Sequence, residues 1–386
     1  METHVTVRVP RSALLAVLAV LAAAIVALVL AEAVAQVLVG RGAAEDRPLL
    51  KFYGTSFLVR YDPVLGWRNP PGERVPAQGN QREIAIDSLG FRDREYPVRK
   101  APGTFRVLVL GDSLTWGWGV GQDEVYPKLL ERRLNDALAG RPPVEVIDAG
   151  VVGYGTDQEY LLFREVGPRL APDLVVLYFY WNDLLNNNSS FQYEVPKPFF
   201  LDRGGAFVPA ESPVPRVVYR GREPWLLRPR AWLHGLASYR VLLTRAQTRF
   251  AAARALGALG LVRLEPATEQ VGVYPDPVER SVRLVAMLRE SVAASRARFL
   301  CVRQPSWDQL AGLAPDGPLP PPDPLVKALL REKIPTLDLM PSLVRSGIRR
   351  EEFGQADNDH FNARGHAAVA EILYQYLREI GALPRP

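Results

Sequence analysis

Short apolar runs alternate with amphipathic stretches along most of the chain, and this pattern predicts an α/β fold. The apolar runs predict five strands, at 105–110, 144–147, 173–180, 298–302 and 336–339. Helical spacing predicts helices at 124–138, 157–170, 277–295, 325–332 and from Asn362 to Ile380. Apolar strands joined by helices are typical of a parallel sheet that is buried on both faces. We therefore expect a doubly wound, three-layer α/β/α sandwich around a central parallel sheet of about five strands.

Two segments do not follow this alternation. Residues 37–103 are polar and rich in turn residues, and they predict an extended lead-in with one short strand at 83–87. Residues 184–276 separate the third strand from the next helix and predict an insertion. Because the insertion begins at the carboxyl end of a strand, we expect it to act as a lid. The main domain then covers 104–386, interrupted by 184–276.

The N-terminal region contains 20 residues without a charge, Ser12–Ala31. A helix of this length crosses a hydrocarbon core of about 30 Å. We predict a transmembrane anchor helix over 12–36, after a short cytoplasmic N-terminus at 1–11. A cleaved signal peptide is the alternative, since Ala-x-Ala occurs at 31–33 and at 33–35. The apolar run is longer than the usual core of a signal peptide, which favours the anchor.

Composition excludes several classes of protein. The net charge is +5, but no run alternates basic with aromatic residues as in a single-strand binder, so we expect no nucleic-acid partner. Residues 216–254 hold nine arginines against Glu223 alone, together with Trp225 and Trp232. This segment is either a solvated face or a contact for anionic lipid or polysaccharide. The single cysteine, Cys301, lies in an apolar run, which indicates a core thiol and excludes an intramolecular disulfide.

Polar residues follow the predicted strands at their carboxyl ends, where open parallel sheets bind ligands. Taken singly, each has an ordinary interpretation: a helix cap for the serine, tight turns for the glycines, a loop turn for the asparagine. Of the four histidines, only His360 combines a loop position with an acid three residues earlier. The candidates are Ser113 in Gly111-Asp112-Ser113-Leu114, Gly153, Asn182 in Asn182-Asp183, and the pair Asp357 and His360.

These four blocks resemble, in order and in position, the motifs of the SGNH/GDSL hydrolases. The resemblance covers residues 104–184 and 277–386 and implies that family's flavodoxin-like fold. The lead-in, with Tyr61-Asp62-Pro63-Val64-Leu65-Gly66-Trp67 and the stretch from Asn80 through Arg92-Asp93, is similar to a membrane-anchored bacterial subgroup. Together with the predicted anchor, that similarity implies a single-pass protein of the bacterial inner membrane. A short N-terminus with Arg8 and Arg11 before a first hydrophobic segment usually stays inside, so the N-terminus would be cytoplasmic and the main domain periplasmic or extracellular.

The resemblance also implies a role for each residue. Ser113 would be the nucleophile, His360 the general base and then the acid, and Asp357 the group that orients the imidazole. The backbone N–H groups of Ser113 and Gly153 and the side-chain amide of Asn182 would form the oxyanion hole. No metal and no organic cofactor are expected.

The sequence departs from the family pattern near two of these residues. Tyr180 and Trp181 precede Asn182, where family members often have a glycine, and these aromatic rings would narrow the acyl pocket. With Asp112 they are candidates for the substrate pocket. Asn358 and Phe361 also replace a glycine and a proline that commonly flank the acid and the histidine.

The expected function is a serine ester hydrolase that acts through an acyl-Ser113 intermediate. It would remove or transfer a short acyl group, such as acetyl, on a glycan or lipid of the cell envelope. Two alternatives stay open. One is a non-catalytic glycan-binding or assembly protein on the same fold. The other is a phospholipase or thioesterase that acts on longer acyl chains.

Overall fold

The computed structural model describes residues 49–52, 55–75, 82–192, 195–210, 213–214, 276–355 and 359–384, and scattered positions between 19 and 30. The chain divides into two units. The smaller unit covers 1–46, 52–55 and 218–265. In it, the structure describes helical backbone at 19–20, 22–24, 26–27 and 30, and the strand residues Phe52 and Thr55. The arginine-rich segment with Trp225 and Trp232 lies outside the described residues.

Most of the predicted anchor over 12–36 also lies outside the described residues. Within the positions that the structure describes, no helix has both the length and the apolar character needed to cross a membrane. The anchor therefore stays a prediction.

The larger unit (47–51, 56–217 and 266–386) holds the predicted α/β domain. Its amino-terminal part, with the strand ends that belong to the smaller unit, contains β1 (Leu49–Phe52), β2 (Thr55–Leu58), β3 (Arg60–Asp62), β4 (Gly66–Arg68), β5 (Arg74–Val75) and β6 (Ile84–Ala85). The first half of the domain contains β7 (Phe105–Gly111), α1 (Ser113–Trp116), a 3-10 turn (Gln122–Glu124), α2 (Tyr126–Ala137), β8 (Val144–Asp148), α3 (Thr156–Leu170), β9 (Leu174–Phe179) and α4 (Trp181–Asn186).

The described part of the insertion continues with β10 (Phe191–Gln192), β11 (Val195–Pro196), β12 (Phe200–Arg203) and β13 (Ala206–Pro209). The second half contains α5 (Pro277–Ala294), β14 (Arg298–Arg303), α6 (Trp307–Leu310), α7 (Pro324–Arg331), β15 (Thr336–Asp338), α8 (Met340–Arg345), α9 (Arg350–Phe353) and α10 (Ala363–Glu379).

The central sheet confirms the predicted fold class. Its five strands run in the order β15-β14-β9-β7-β8, and every neighbouring pair is parallel. Alternate residues of β7, β8, β9 and β14 pack into one core with α2, α8 and α10. The intervening residues point to the opposite face, where α3 contacts β7 and α5 contacts β14. Cys301 on β14 is fully buried, as predicted, and burial raises the pKa of its thiol.

Local sequence signals set the starts of three long helices. Asp276 and Asp323 each accept a backbone N–H in the first turn of the helix that follows, and a proline occupies the first helical position in both cases. Asn362 accepts from the backbone N–H groups of Arg364 and Gly365 at the start of α10. Such caps satisfy donors that a helix otherwise leaves unpaired.

The lead-in is more structured than the sequence predicts. It forms the hairpins β3–β4 and β5–β6, of which only β6 falls on the predicted strand at 83–87. The indole of Trp67 donates to the carbonyl of Val152, and the hydroxyl of Tyr154 donates back to the carbonyl of Trp67, at 3.0 and 2.5 Å. The lead-in is therefore bonded to the loop after β8.

The described part of the insertion is anchored by a buried lysine. Lys197 pairs with Asp157 at the start of α3, and neither side chain is exposed. The same ammonium donates to the carbonyls of Asn186 and Pro198, at 3.0 and 3.1 Å. This first part of the predicted lid is consequently packed on the domain, whereas residues 215–275 lie outside the described residues.

Replacing Lys197 should destabilise the fold. Lys197→Met leaves the Asp157 carboxyl buried without its partner, which typically costs about 3–5 kcal/mol. Urea denaturation should show this loss in the free energy of unfolding. Arg349→Met, which removes an ion pair on the surface, serves as the control and should change stability little. If the free energy of unfolding falls equally in the two variants, the buried pair of Lys197 and Asp157 does not stabilise the fold more than a surface ion pair does.

Candidate active site

The carboxyl edge of the sheet brings Ser113 and His360 together. Ser113 begins α1 directly after β7, and His360 lies in the loop before α10. A hydrogen bond of 2.8 Å joins Ser113 Oγ to His360 Nε2. Both residues are buried, with exposed fractions of 7% and 4%. In this arrangement an imidazole can take the proton of a serine hydroxyl and so make the oxygen nucleophilic.

Short-range contacts place Ser113 at the sheet edge. Asp112 caps α1 by accepting the backbone N–H of Leu114 at 2.9 Å. Gly111 lies so close to Thr115 that a Cβ there would come within 2.1 Å of its hydroxyl oxygen. The tight turn from strand to helix therefore depends on a residue without a side chain at position 111.

The predicted oxyanion donors are two backbone N–H groups and one side-chain amide. The backbone N–H groups of Ser113 and Gly153 donate no hydrogen bond within the described residues. Gly153 has a φ of +76°, a conformation that favours glycine. Asn182 lies in α4, and its Nδ2 donates to Asp112 Oδ2 at 2.7 Å. An amide nitrogen carries two hydrogens, so this bond can orient the amide and leave one hydrogen for a ligand.

The loop after β8 packs directly against α1. A Cβ on Gly150 would come within 2.4 Å of the backbone nitrogen of Trp116. The backbone N–H of Val151 donates to the carbonyl of Gly111 at 3.0 Å. Close approach of two backbones thus joins the loop that carries Gly153 to the turn that carries Ser113.

The acid of the predicted triad falls outside the described part of the chain. Asp357 is not among the described residues, so its orienting role stays a prediction. Asp359, which is described, accepts a hydrogen bond from the hydroxyl of Tyr180 at 3.3 Å. Tyr180 is buried and Trp181 is 39% exposed. Of the two predicted pocket aromatics, Tyr180 therefore contacts the histidine loop, and Trp181 reaches the surface.

Several buried carboxyl groups lie near the site. Burial raises the pKa of Asp112, against the opposing effects of its bonds from Leu114 and Asn182. Burial, followed by the charge of Asp183, raises the pKa of Glu159 well above its ordinary value. Burial, followed by the charge of Asp112, likewise raises the pKa of Asp183 well above its ordinary value. In each of the three groups, burial therefore disfavours the charged carboxylate relative to the same group in water.

Sequence reasoning missed the contacts that Trp118 and Gln355 make with the histidine and its loop. The rings of Trp118 and His360 lie with their centroids 6.0 Å apart. Gln355 donates its backbone N–H to the carbonyl of His360 at 2.9 Å, and its side chain donates to the carbonyls of Trp118 and Phe361. No motif or periodicity marks either residue, although two tryptophans at 116 and 118 so soon after Ser113 are an available signal.

Among the described residues, no group of three or more histidine, cysteine, aspartate or glutamate side chains could hold a metal ion. The other buried histidine, His366, lies on α10 and accepts the backbone N–H of Tyr126 at 3.3 Å. Burial lowers the pKa of His366 to about 3, so its imidazole is neutral at ordinary pH.

A serine hydroxyl bonded to an imidazole at the carboxyl edge of a parallel sheet is the arrangement expected of a serine hydrolase. The chain belongs to the GDSL-like lipase/acylhydrolase family, whose model matches residues 109–368, about two thirds of the sequence. The match spans Ser113, Gly153, Asn182 and His360, and it excludes the whole lead-in at 37–103. The predicted family is thereby confirmed.

The comparison with solved structures finds partial similarity to several proteins, among them three esterases. A two-domain esterase active on acetylated mannans is 13% identical, with a TM-score of 0.38 over 73% of this chain. This chain covers only 51% of that protein's length. The acetyl xylan esterase AlAXEase is 13% identical, with a TM-score of 0.38 and coverages of 71% and 100%. Esterase EstA from Pseudoalteromonas sp. is 13% identical, with a TM-score of 0.36 and coverages of 72% and 99%. No protein of curated function matches the sequence.

A pH-dependent stability follows from Asp148, at the end of β8. Its fully buried carboxyl accepts the backbone N–H of Gly150 at 2.9 Å. Burial, followed by the charge of Asp93, raises its pKa to about 8, against the opposing charges of Lys128 and Arg92. An unfolded aspartate has a pKa of about 4, so the folded state holds an extra proton between about pH 4 and pH 8. The stability that this proton contributes is full below pH 4 and is lost as the pH rises through 8.

Asp148→Asn should remove this dependence. The free energy of unfolding of the wild type should fall relative to the variant as the pH rises from about 4 to 8, by up to about 1.4 kcal/mol per pH unit. Urea denaturation at several pH values measures the difference. Parallel pH profiles for the two proteins would show that Asp148 does not titrate in this range.

Proposed function

We propose that the protein is a serine esterase that acts through an acyl-Ser113 intermediate. The observation that carries the proposal is the 2.8 Å contact between Ser113 Oγ and His360 Nε2 at the sheet edge. The family match supports an acylhydrolase. The predicted donors, the N–H groups of Ser113, Gly153 and Asn182, would support acyl transfer in particular, since a tetrahedral intermediate needs fixed N–H groups where its negative charge develops.

The proposed reaction has two halves. Ser113 Oγ bonds to the ester carbonyl carbon while its proton moves to His360 Nε2, and the carbonyl oxygen becomes an oxyanion. The N–H groups of Ser113, Gly153 and Asn182 donate to that oxygen. Collapse of the intermediate breaks the bond to the alcohol, which leaves with the proton from His360. Water, or a second hydroxyl in a transfer reaction, then attacks the acyl-Ser113 by the same steps in reverse order.

We propose a short acyl group, such as acetyl, on a glycan or lipid of the cell envelope as the substrate. Tyr180 and Trp181 directly precede Asn182 in the sequence, and their ring centroids lie 6.0 Å apart. Large rings there leave little room for a long acyl chain. The predicted anchor over 12–36 supports a place at the bacterial inner membrane, with the catalytic domain on the periplasmic or outer side.

Ser113→Ala tests the nucleophile. Hydrolysis of p-nitrophenyl acetate should fall by on the order of 10⁴–10⁶-fold, because both covalent bond changes need the hydroxyl. A fluorophosphonate should label the wild type at residue 113 and leave the variant unlabelled. His360→Ala should lose activity similarly, whereas the matched control His366→Gln, at the other buried histidine, should keep wild-type kcat per folded molecule.

Activity of Ser113→Ala equal to that of the wild type would refute the nucleophile. A wild type that neither turns over the ester nor reacts with the fluorophosphonate would instead indicate a glycan-binding protein on this fold.

The size of the proposed acyl pocket is tested with esters whose acyl groups differ in length. The kcat/KM for p-nitrophenyl esters should be highest for acetate and should fall for butyrate and octanoate. Trp181→Ala should lessen that fall, because it removes one of the two rings that we propose to line the acyl pocket. Rates that rise with chain length in the wild type would replace this proposal with a phospholipase or thioesterase.

A further inference from the structure

An arginine of the lead-in is bonded to the backbone next to the nucleophile. Arg92 is 2% exposed. Its Nη1 donates to the carbonyls of Trp116 and Gly117, at 2.7 and 2.8 Å, and its Nη2 donates to the carbonyl of Val120 at 2.7 Å. The guanidinium carbon also lies 4.5 Å from the centroid of the Trp116 ring. One side chain thus binds both ends of the turn formed by residues 117–120.

This turn is continuous with the helix that begins at Ser113. The backbone N–H groups of Gly117 and Trp118 donate to the carbonyl of Ser113, at 3.1 and 3.0 Å. Gly117 has a φ of +82°, which reverses the chain at the end of α1. Because Arg92 holds the carbonyls before and after Trp118, it fixes the path of the residue between them.

Trp118 in turn contacts the proposed base. Its ring lies beside that of His360, with a centroid distance of 6.0 Å. Gln355 reinforces the connection, because its side chain donates to the carbonyl of Trp118 and its backbone N–H donates to the carbonyl of His360. A continuous set of contacts therefore runs from Arg92 through the 117–120 turn to the imidazole.

Arginine suits this place for a specific reason. Its planar fork can donate to several carbonyl oxygens at fixed angles, which a lysine ammonium cannot reproduce. Burial lowers the pKa of Arg92 to about 10, and the nearby charges of Asp148 and Glu124 act against that shift. The guanidinium consequently stays charged at neutral pH, and its hydrogen bonds to the carbonyls keep their full strength.

We propose that Arg92 is a positioning residue for the esterase reaction. It holds the 117–120 turn so that Trp118 keeps the His360 imidazole within hydrogen-bond reach of Ser113. This inference rests on the proposed function. A displacement of about 1 Å between reacting groups can cost about 10²-fold in rate. The lead-in therefore helps to position the active-site residues, although it supplies no reacting atom.

The chain offers a matched control in Arg106. This residue is also fully buried and also donates to three backbone carbonyls, those of Pro97, Val98 and Leu170, at 2.8–3.0 Å. It lies near the amino end of β7, at the opposite end of the strand from Ser113. Replacing Arg106 perturbs a similar network without touching the 117–120 turn.

The test compares Arg92→Lys with Arg106→Lys in the full chain. The kcat and KM for p-nitrophenyl acetate and the rate constant of Ser113 labelling by a fluorophosphonate are measured per folded molecule, with the folded fraction taken from urea denaturation. Arg92→Lys should lower kcat and the labelling rate by about 10²-fold and leave KM unchanged. Arg106→Lys should lower stability and leave kcat and the labelling rate unchanged.

A second comparison tests whether Arg92 acts through Trp118. In a Trp118→Ala background, Arg92→Lys should lower kcat little further, because Arg92 acts through Trp118. If Arg92→Lys does not fold, Trp118→Ala alone decides the matter, since that side chain is only partly buried. Wild-type kcat in Trp118→Ala would then overturn the proposal.

The proposal is also overturned if Arg92→Lys keeps wild-type kcat and labelling. It fails as well if Arg106→Lys loses as much activity as Arg92→Lys, which would indicate general destabilisation. Each of these results leaves the proposed function intact, provided that the wild type is labelled at Ser113. A wild type without labelling would refute the esterase itself.

Discussion

A single hydrogen bond, between Ser113 Oγ and His360 Nε2, requires the rest of the structure to hold two distant loops in fixed positions. It joins residues 247 positions apart in the sequence. Such a bond weakens steeply once its angle falls below about 120°, so both loops must be held independently and firmly. On one side, β7 lies in the interior of the sheet and ends at the serine. On the other, the Asn362 side chain donates to the carbonyls of Glu352 and Gly354, and Gly354 pairs with Phe361 beside the histidine.

Support for the site comes from outside the segment that matches the family. Trp67 is bonded to the loop that carries Gly153, and Arg92 is bonded to the turn after Ser113. Asp93 accepts both the ammonium of Lys128 and the backbone N–H of Asp148 at the end of β8. The lead-in therefore contacts the carboxyl ends of two neighbouring strands, β7 and β8. We infer that a chain trimmed to the family segment would lose these contacts and the geometry that they maintain.

The sheet could be predicted from sequence because its signals are local, and the serine–histidine pair because the motif blocks around it resemble those of the SGNH/GDSL hydrolases. Strands buried on both faces appear as apolar runs, and Asn362, Asp276 and Asp323 mark helix starts by side-chain chemistry that acts within three residues. The short helices at Ser113 and Trp181 could not be predicted in the same way. Four to six residues give no periodicity, and tertiary contacts decide their conformation. Arg92 and Gln355 are harder still, since each acts on carbonyl oxygens far along the chain, and any residue type supplies a carbonyl.

The fully buried Cys301 gives this protein a built-in probe of its own opening. The thiol lies on β14, between β9 and β15, and burial raises its pKa, so a reagent that needs a thiolate has neither access nor a reactive species in the folded state. Because the sequence contains one cysteine only, any reaction with a thiol reagent reports an opening of the structure around β14. The rate of that reaction measures how often the sheet opens, without any engineered label.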